Sequence, residues 1–295
     1  MGTIKRLLAG AGFLALFSTA VDAQILYGST GGGGNPAAQL GTINPATGAF
    51  TPIGPIGFAV TGLAVHPTTG VLYGTTGGNA PVSPNSLITI NRTTGAGTLV
   101  GAQGGGCTAA DITFRADGTL FAWCEGPDSL ATINLATGAA TIVGASGLGT
   151  FGSGIAFDNG GVLYYAGSGG SGALRTINPA TGAPTTIAAI TGAPIPAGSI
   201  NAMAVNPTSN VLFAVNAASA GPGSATNLIT IDKTTAAATL VGASIANLDG
   251  IAFAPAAGPG TTVPVPTLST WMTILLGILI AGVAAYSLRR NARQG

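Results

Sequence analysis

The chain has 295 residues, of which 6% are charged, with nine Lys and Arg against eight Asp and Glu and a formal net charge of +1. That is long enough for one large all-β domain with appendages, but the scattered basic residues give no stripe for nucleic-acid binding. Disorder is disfavoured as well, because 46% of the residues are hydrophobic, and the 49 glycines recur at a fixed period.

Residues 1–23 carry the three parts of a secretory signal: Lys5 and Arg6, an apolar stretch from Leu7 to Phe17, and the small-residue exit Val21-Asp22-Ala23. Cleavage is expected after Ala23. The other reading of this helix is an N-terminal membrane anchor, for which the apolar run is short.

Residues 24–258 repeat themselves five times. One line reads Leu-x-Thr-Ile-Asn, at Leu40–Asn44, Leu87–Asn91, Leu130–Asn134 and Leu174–Asn178, with Leu228–Asp232 as its fifth form. A turn of the type Asn-Pro-Ala-Thr-Gly follows, degraded to Asp-Lys-Thr-Thr-Ala at 232–236, and then a short Thr-rich strand. Pro at the second turn position and Gly at the last suit a type I turn closed by a left-handed residue. A further strand pairs Leu with an aromatic, as in Leu72-Tyr73 and Leu120-Phe121. The remaining strand is a triplet with a small centre: Ala64, Thr113, Ala156, Ala204 and Ala252. Four short strands per period in the forties predict a five-bladed β-propeller, with the small-centred strand innermost, where space is least. The repeat opens on a Leu-aromatic strand near Ile25 and ends on an innermost strand, Gly250 to Phe253. The last strand is therefore expected to complete the first blade and close the ring.

Cys107 and Cys124 flank a predicted hairpin around Arg115–Gly118 and fall within about a step of being opposite. That spacing suits a disulfide, free thiols being the alternative. The residues entering the innermost strands are Thr61, Asp111, Ser153, Asn201 and Asp249, expected together at one mouth of the central channel. They form a candidate axial ligand site, with calcium as one occupant and a merely solvated channel opening as the other reading. His66, the sole histidine, has no carboxylate and nucleophile nearby in sequence and reads as a turn residue. Asp158, Glu125 and Asp128 read as solvated surface. Trp123 and Tyr165 are the aromatics that an exposed sugar platform would use, with blade packing as the alternative for Trp123. No catalytic residue, metal cluster of zinc spacing or resident cofactor is indicated.

Residues 259–265 form a Pro/Thr-rich linker, and Trp271 to Leu288 is an uncharged stretch long enough for a transmembrane helix. Arg289, Arg290 and Arg293 follow and are expected to stay cytoplasmic, leaving the repeats outside. The motif Val265-Pro266-Thr267-Leu268-Ser269-Thr270-Trp271, then an apolar helix and an Arg cluster, resembles the IPTL-CTERM sorting signal, similar in layout to the tails handled by exosortases in Gram-negative bacteria. The resemblance covers residues 266–295 and their approach; Val265 stands for the usual Ile, and Met272 where a Gly is common. It implies that Pro266, Thr267 and Leu268 are the recognition motif for an exosortase-type processing enzyme. It also implies that the chain is held in the inner membrane until the tail is cut, then released to the cell surface or beyond. A plain single-span anchor is the alternative. Three functions compete on this reading: an exported, non-catalytic envelope or matrix protein, a metal-dependent lyase or hydrolase at the axial mouth, and a carbohydrate- or protein-binding module.

Overall fold

The computed structural model describes residues 24–31, 38–149, 151–168, 172–194, 200–217 and 225–255. The expected signal segment 1–23, the expected linker 259–265 and the expected sorting tail 266–295 with its apolar stretch 271–288 lie outside the described residues. Among the described residues no helix is long and apolar enough to cross a membrane.

Twenty strands form five antiparallel sheets of four. The first blade joins β1 (Leu26–Thr30), β2 (Gln39–Ile43) and β3 (Phe50–Pro55) to the last strand of the chain, β20 (Leu248–Phe253). The second contains β4 (Val60–Val65), β5 (Leu72–Thr76), β6 (Ser86–Ile90) and β7 (Gly97–Ala102). The third is β8 (Thr108–Phe114), β9 (Leu120–Glu125), β10 (Ser129–Ile133) and β11 (Ala140–Ala145). The fourth is β12 (Phe151–Phe157), β13 (Leu163–Ser168), β14 (Ala173–Ile177) and β15 (Pro184–Ala189). The fifth is β16 (Ile200–Val205), β17 (Leu212–Ala217), β18 (Thr226–Ile231) and β19 (Ala238–Ala243). The five innermost strands, β4, β8, β12, β16 and β20, neighbour one another around the axis.

Closure takes the form expected from the phase of the repeat. β20 pairs with β1 through Leu26↔Phe253 and Gly28↔Ile251, and the Ala254 N–H donates to Ile25 O at 2.8 Å beyond the strand ends. Gln24 adds a side-chain bond to Ala254 O and accepts one from Thr208 of the fifth blade. Both ends of the domain are thus fixed in one blade, and β1 is paired on both sides.

The hydrophobic core lies between blades, divided into five clusters, one at each junction. Between the fourth and fifth blades, for example, Leu174 and Tyr164 meet Met203, Leu212 and Ile231. Each outermost strand contributes by a bulge that skips one apolar residue in the pairing: Ile53, Val100, Val143, Ile187 and Val241. The bulge turns that side chain toward the next blade, where each is packed on a junction cluster.

The Asn-x-x-Thr-Gly turns lock the periphery. The Oδ1 of Asn91 accepts from the N–H groups of Thr93 and Thr94, and Asn134 and Asp232 repeat the arrangement. The turn closes with a left-handed residue, Gly95 at φ 83° or Gly138 at φ 78°, as the sequence predicts. That turn then rests on a glycine of the preceding blade's outer strand. A Cβ on Gly54, Gly101, Gly144 or Gly242 would stand 2.2, 2.2, 2.1 or 2.0 Å from a turn carbonyl, that of Thr94, Thr137, Thr181 or Thr47. At the fifth junction both positions are alanine, Ala188 and Ala236, and they lie in one apolar cluster. There the chain adds a short parallel bridge, Thr191↔Ala237.

Cys107 and Cys124 form a disulfide with a Cα separation of 4.8 Å, joining the entry of β8 to the end of β9. Trp123 and Tyr165 are not a surface platform. Both are fully buried, with ring centroids 4.1 Å apart at the junction of the third and fourth blades. The alternation along β9 and β13 turns these side chains into the blade interface, where their large apolar area is covered.

Gly101→Ala is expected to destabilise the domain by about 1–3 kcal/mol, because the added methyl meets backbone that cannot rotate away. Urea denaturation of the variant beside the parent chain checks this.

Candidate ligand site at the axial mouth

All five innermost strands run the same way along the axis, so their N-terminal ends gather at one mouth and their C-terminal ends at the other. The entry mouth holds a cavity of about 480 Å³, lined by Thr61, Ser153, Asn201 and Asp249 together with Glu125. Four of the five residues named from sequence therefore meet there. For Thr61, Asn201 and Asp249 the reason is a second set of bulges, since the pairing skips Thr61 in β4, Ala110 in β8, Asn201 in β16 and Asp249 in β20; in β12 it skips Gly152 and leaves Ser153 paired with Gly167. A bulged residue is freed from the pleat and can face the channel opening.

Asp111 is the exception. It stands one residue further along its strand than the others, level with Gly62, Gly154, Ala202 and Gly250. Its place at the rim is taken by Ala110. Asp111 is fully buried on the inner side of the ring, where its carboxylate joins three blades. Oδ1 accepts from the Ile112 N–H at 2.9 Å, and Oδ2 accepts from the N–H groups of Ile155 at 3.0 Å and Met203 at 3.1 Å. These donors belong to the inner edges of innermost strands, which have no further strand to pair with. Burial raises the Asp111 carboxyl well above the ordinary 3.8, against the opposing effect of the three N–H bonds, and Asp249 adds a smaller upward push.

The rim has its own polar contacts. Thr61 Oγ1 donates to Ala109 O of the third blade at 2.8 Å. Asn201 Nδ2 donates to Asp249 Oδ1 at 3.4 Å, linking the fifth blade to the first. Asp249 is half-buried, and its carboxyl is pushed up to about 7 by desolvation and then by the charge of Glu125, with Asn201 pulling it back slightly. Ser153 is 1% exposed, lines the cavity, and its hydroxyl has no hydrogen-bond partner.

Glu125 was not visible as a site residue from its own neighbourhood in sequence; it read as solvated surface. The structure half-buries it, because the disulfide hairpin sets Thr108 opposite Glu125 and carries the end of β9 to the rim. Counting that hairpin from Cys107 and Cys124 would have located it. Asp158 differs from the surface reading too. Its side chain is 9% exposed, pairs with Lys233 at 2.8 Å, and accepts from Gly160 and Val162. Asp128 is half-buried. His66 occupies a turn, where Nδ1 accepts from Thr68 and Thr69 at 3.2 Å, the role Asn206 plays in the fifth blade.

The exit mouth is chemically plainer. Its cavity of about 340 Å³ is walled by the strand ends Val65, Phe114, Phe157, Val205 and Phe253, and Asp158 at its edge is already ion-paired. Among the described residues, no three His, Cys, Asp or Glu side chains gather as a metal cluster. The entry mouth is thus where unsatisfied polar chemistry faces a cavity.

Two outcomes follow from the carboxylates. Asp111→Ala leaves the Ile155 and Met203 N–H groups buried without their acceptor, at about 1–3 kcal/mol each, so it should destabilise the fold far more than Asp117→Ala at an exposed turn; denaturant midpoints compare them. Asp249 holds its proton to about pH 7 in the fold, against 3.8 ordinarily, so between these values the folded chain binds more protons than the unfolded one. The corresponding stability is complete below pH 3.8 and is lost as the pH rises through 7. Asp249→Asn should flatten that decline in urea titrations run between pH 4.5 and 7.5.

No family model and no curated protein sequence matches this chain. Among solved structures, a chain in the crystal structure of a nidogen/laminin complex superposes with a TM-score of 0.52 at 14% identity, over 80% of this chain and 100% of that one. A protein of unknown function from Bacteroides caccae aligns over 78% of this chain and 98% of its own, at 12% identity and a TM-score of 0.44. The first likeness agrees with the β-propeller fold, and at that identity it speaks to fold alone.

Proposed function

We propose that this chain is an exported, surface-sorted and non-catalytic β-propeller, a binding or structural component of the cell envelope or extracellular matrix. The observation that carries the reading is the Cys107–Cys124 disulfide, since such bonds persist in oxidising compartments outside the cytoplasm. The signal-like residues 1–23 and the sorting motif Pro266-Thr267-Leu268 with Trp271, Arg289 and Arg290 give the same direction of travel. Cleavage after Ala23 would leave Gln24 as the first residue, and Gln24 is tied into the closing blade. In this reading an exosortase-type enzyme processes the tail while the apolar stretch holds the chain in the inner membrane.

The other reading is a metal-dependent lyase or hydrolase at the same mouth. It has the Asp249–Glu125 pair in its favour. The non-catalytic reading is preferred because the polar groups nearby, Thr61 and Asn201, are occupied in joining blades, and among the described residues no nucleophile is paired with a base.

Cell fractionation with mass spectrometry of the mature termini tests the proposal. The expected product begins at Gln24, ends before Trp271, and is recovered from the surface or medium. Surface protein that retains Arg290 would reject processing and leave a simple anchor, and a cytoplasmic product beginning at Met1 would reject export.

A further inference from the structure

The entry mouth has a composition that narrows its ligand. Of the described side chains lining it, Asp249 and Glu125 are the ionisable ones; among the described residues no Lys, Arg or His joins them and no aromatic ring is part of the lining. The field in the opening is therefore negative, which disfavours phosphate, sulfate and carboxylate ligands. Sugars are poorly served without a stacking ring. Calcium requires six to eight oxygen ligands, whereas Ala59, Val60, Ala80 and Pro81 make part of this cavity's lining apolar. The lining thus combines acidic and apolar groups. At about 480 Å³ it lies within the range of small-molecule sites.

A separate observation comes from Ser153. Its hydroxyl is buried, unpartnered and part of the cavity wall, whereas Thr61 and Asn201 at the same rim are bonded across blades. A buried hydroxyl without a partner costs free energy, and a ligand that supplies one removes the cost. An ammonium group carries three N–H donors and no acceptor, which matches two carboxylates and a hydroxyl.

We propose that the axial mouth binds a small organic cation, a primary amine with a short apolar body. Its ammonium is taken by Asp249, Glu125 and Ser153, and its carbon chain lies along Ala59, Val60 and Pro81. The inference rests on reading this mouth as the propeller's ligand site. Repulsion between the two carboxylates, which helps hold Asp249 in its protonated form near neutrality, is relieved when a cation sits between them. Binding should therefore tighten as the pH rises through 7.

The test uses the full chain purified in detergent micelles and titrated with n-butylamine by calorimetry, with n-butanol and calcium chloride as comparison ligands. The expected result is binding of n-butylamine, none of n-butanol, and weakening of about tenfold or more in both Asp249→Asn and Glu125→Gln. Asp158→Asn, at the opposite mouth, should bind as the parent does. Glu125 is half-buried at the rim, so its variant keeps the test valid if Asp249→Asn does not fold. Equal affinity in Glu125→Gln, equal binding of n-butanol, loss in Asp158→Asn, or calcium bound with n-butylamine excluded would each overturn the proposal. The localisation experiment reports on export whatever the amine does, so the two readings fail separately.

Discussion

The crowding of five innermost strands around one axis is the constraint on which the rest of this molecule depends. A Cβ on Gly62 would meet the Asp111 Cα at 2.8 Å, one on Gly154 would meet Ala202 C at 2.6 Å, and one on Gly250 would meet Leu63 N at 3.1 Å. Backbone therefore touches backbone from blade to blade, and the ring is as narrow as the chain permits. Such a ring presents strand edges inward whose N–H groups lack a sixth strand. Asp111 stands among glycines and an alanine at this level and supplies the missing acceptors to three strands at once. Removing its charge from water is costly, which is why burial drives its carboxyl toward the protonated form.

The periphery solves a related problem by repetition. At four junctions a glycine accepts the neighbouring turn carbonyl at a distance no Cβ would allow, and the turn itself ends in a left-handed glycine. The fifth junction carries alanine on both sides, with Ala236 held at φ 58° and a parallel bridge beside it. Two glycines are lost together there and an added backbone pairing accompanies them. The degraded turn at 232–236 is thus a local variation on the same contact.

Much of this was legible in the sequence because each strand type is marked by a residue with a steric reason to be there. The Leu-x-Thr-Ile-Asn line, the small-centred triplets and the phase of the first and last strands led to blade number, strand order and closure. The cysteines were placed by hairpin spacing alone. What escaped was anything that depended on offset by one residue. Counting back from Ile112-Thr113-Phe114 puts Ala110, not Asp111, in line with Thr61, Asn201 and Asp249, and the chemistry of the aspartate obscured that shift. Glu125 escaped for another reason: its position at the mouth depends on the register of a disulfide-bonded hairpin, which has to be counted from Cys107 and Cys124 and is not marked by its own neighbours. Trp123 and Tyr165 stand in strands whose two faces are both covered, so alternation carries no sign of which residues reach solvent.

Asp111 and Asp249 show how depth divides one chemistry into two roles. They belong to the same level of the ring within a residue of each other, and burial raises the pKa of both. The deeper carboxylate is saturated by three backbone donors within 3.1 Å and has no open side. The shallower one has, among the described residues, one long bond from Asn201, with a second carboxylate as neighbour and a cavity that it lines. A saturated carboxylate can only hold the ring together, because any ligand would have to displace backbone amides that nothing else can satisfy. An undersaturated one retains acceptor capacity, and its repulsion from Glu125 makes a cation the natural complement. The bulge at Asp249 is what separates the two cases, since it lifts one side chain out of the packed level and into the opening.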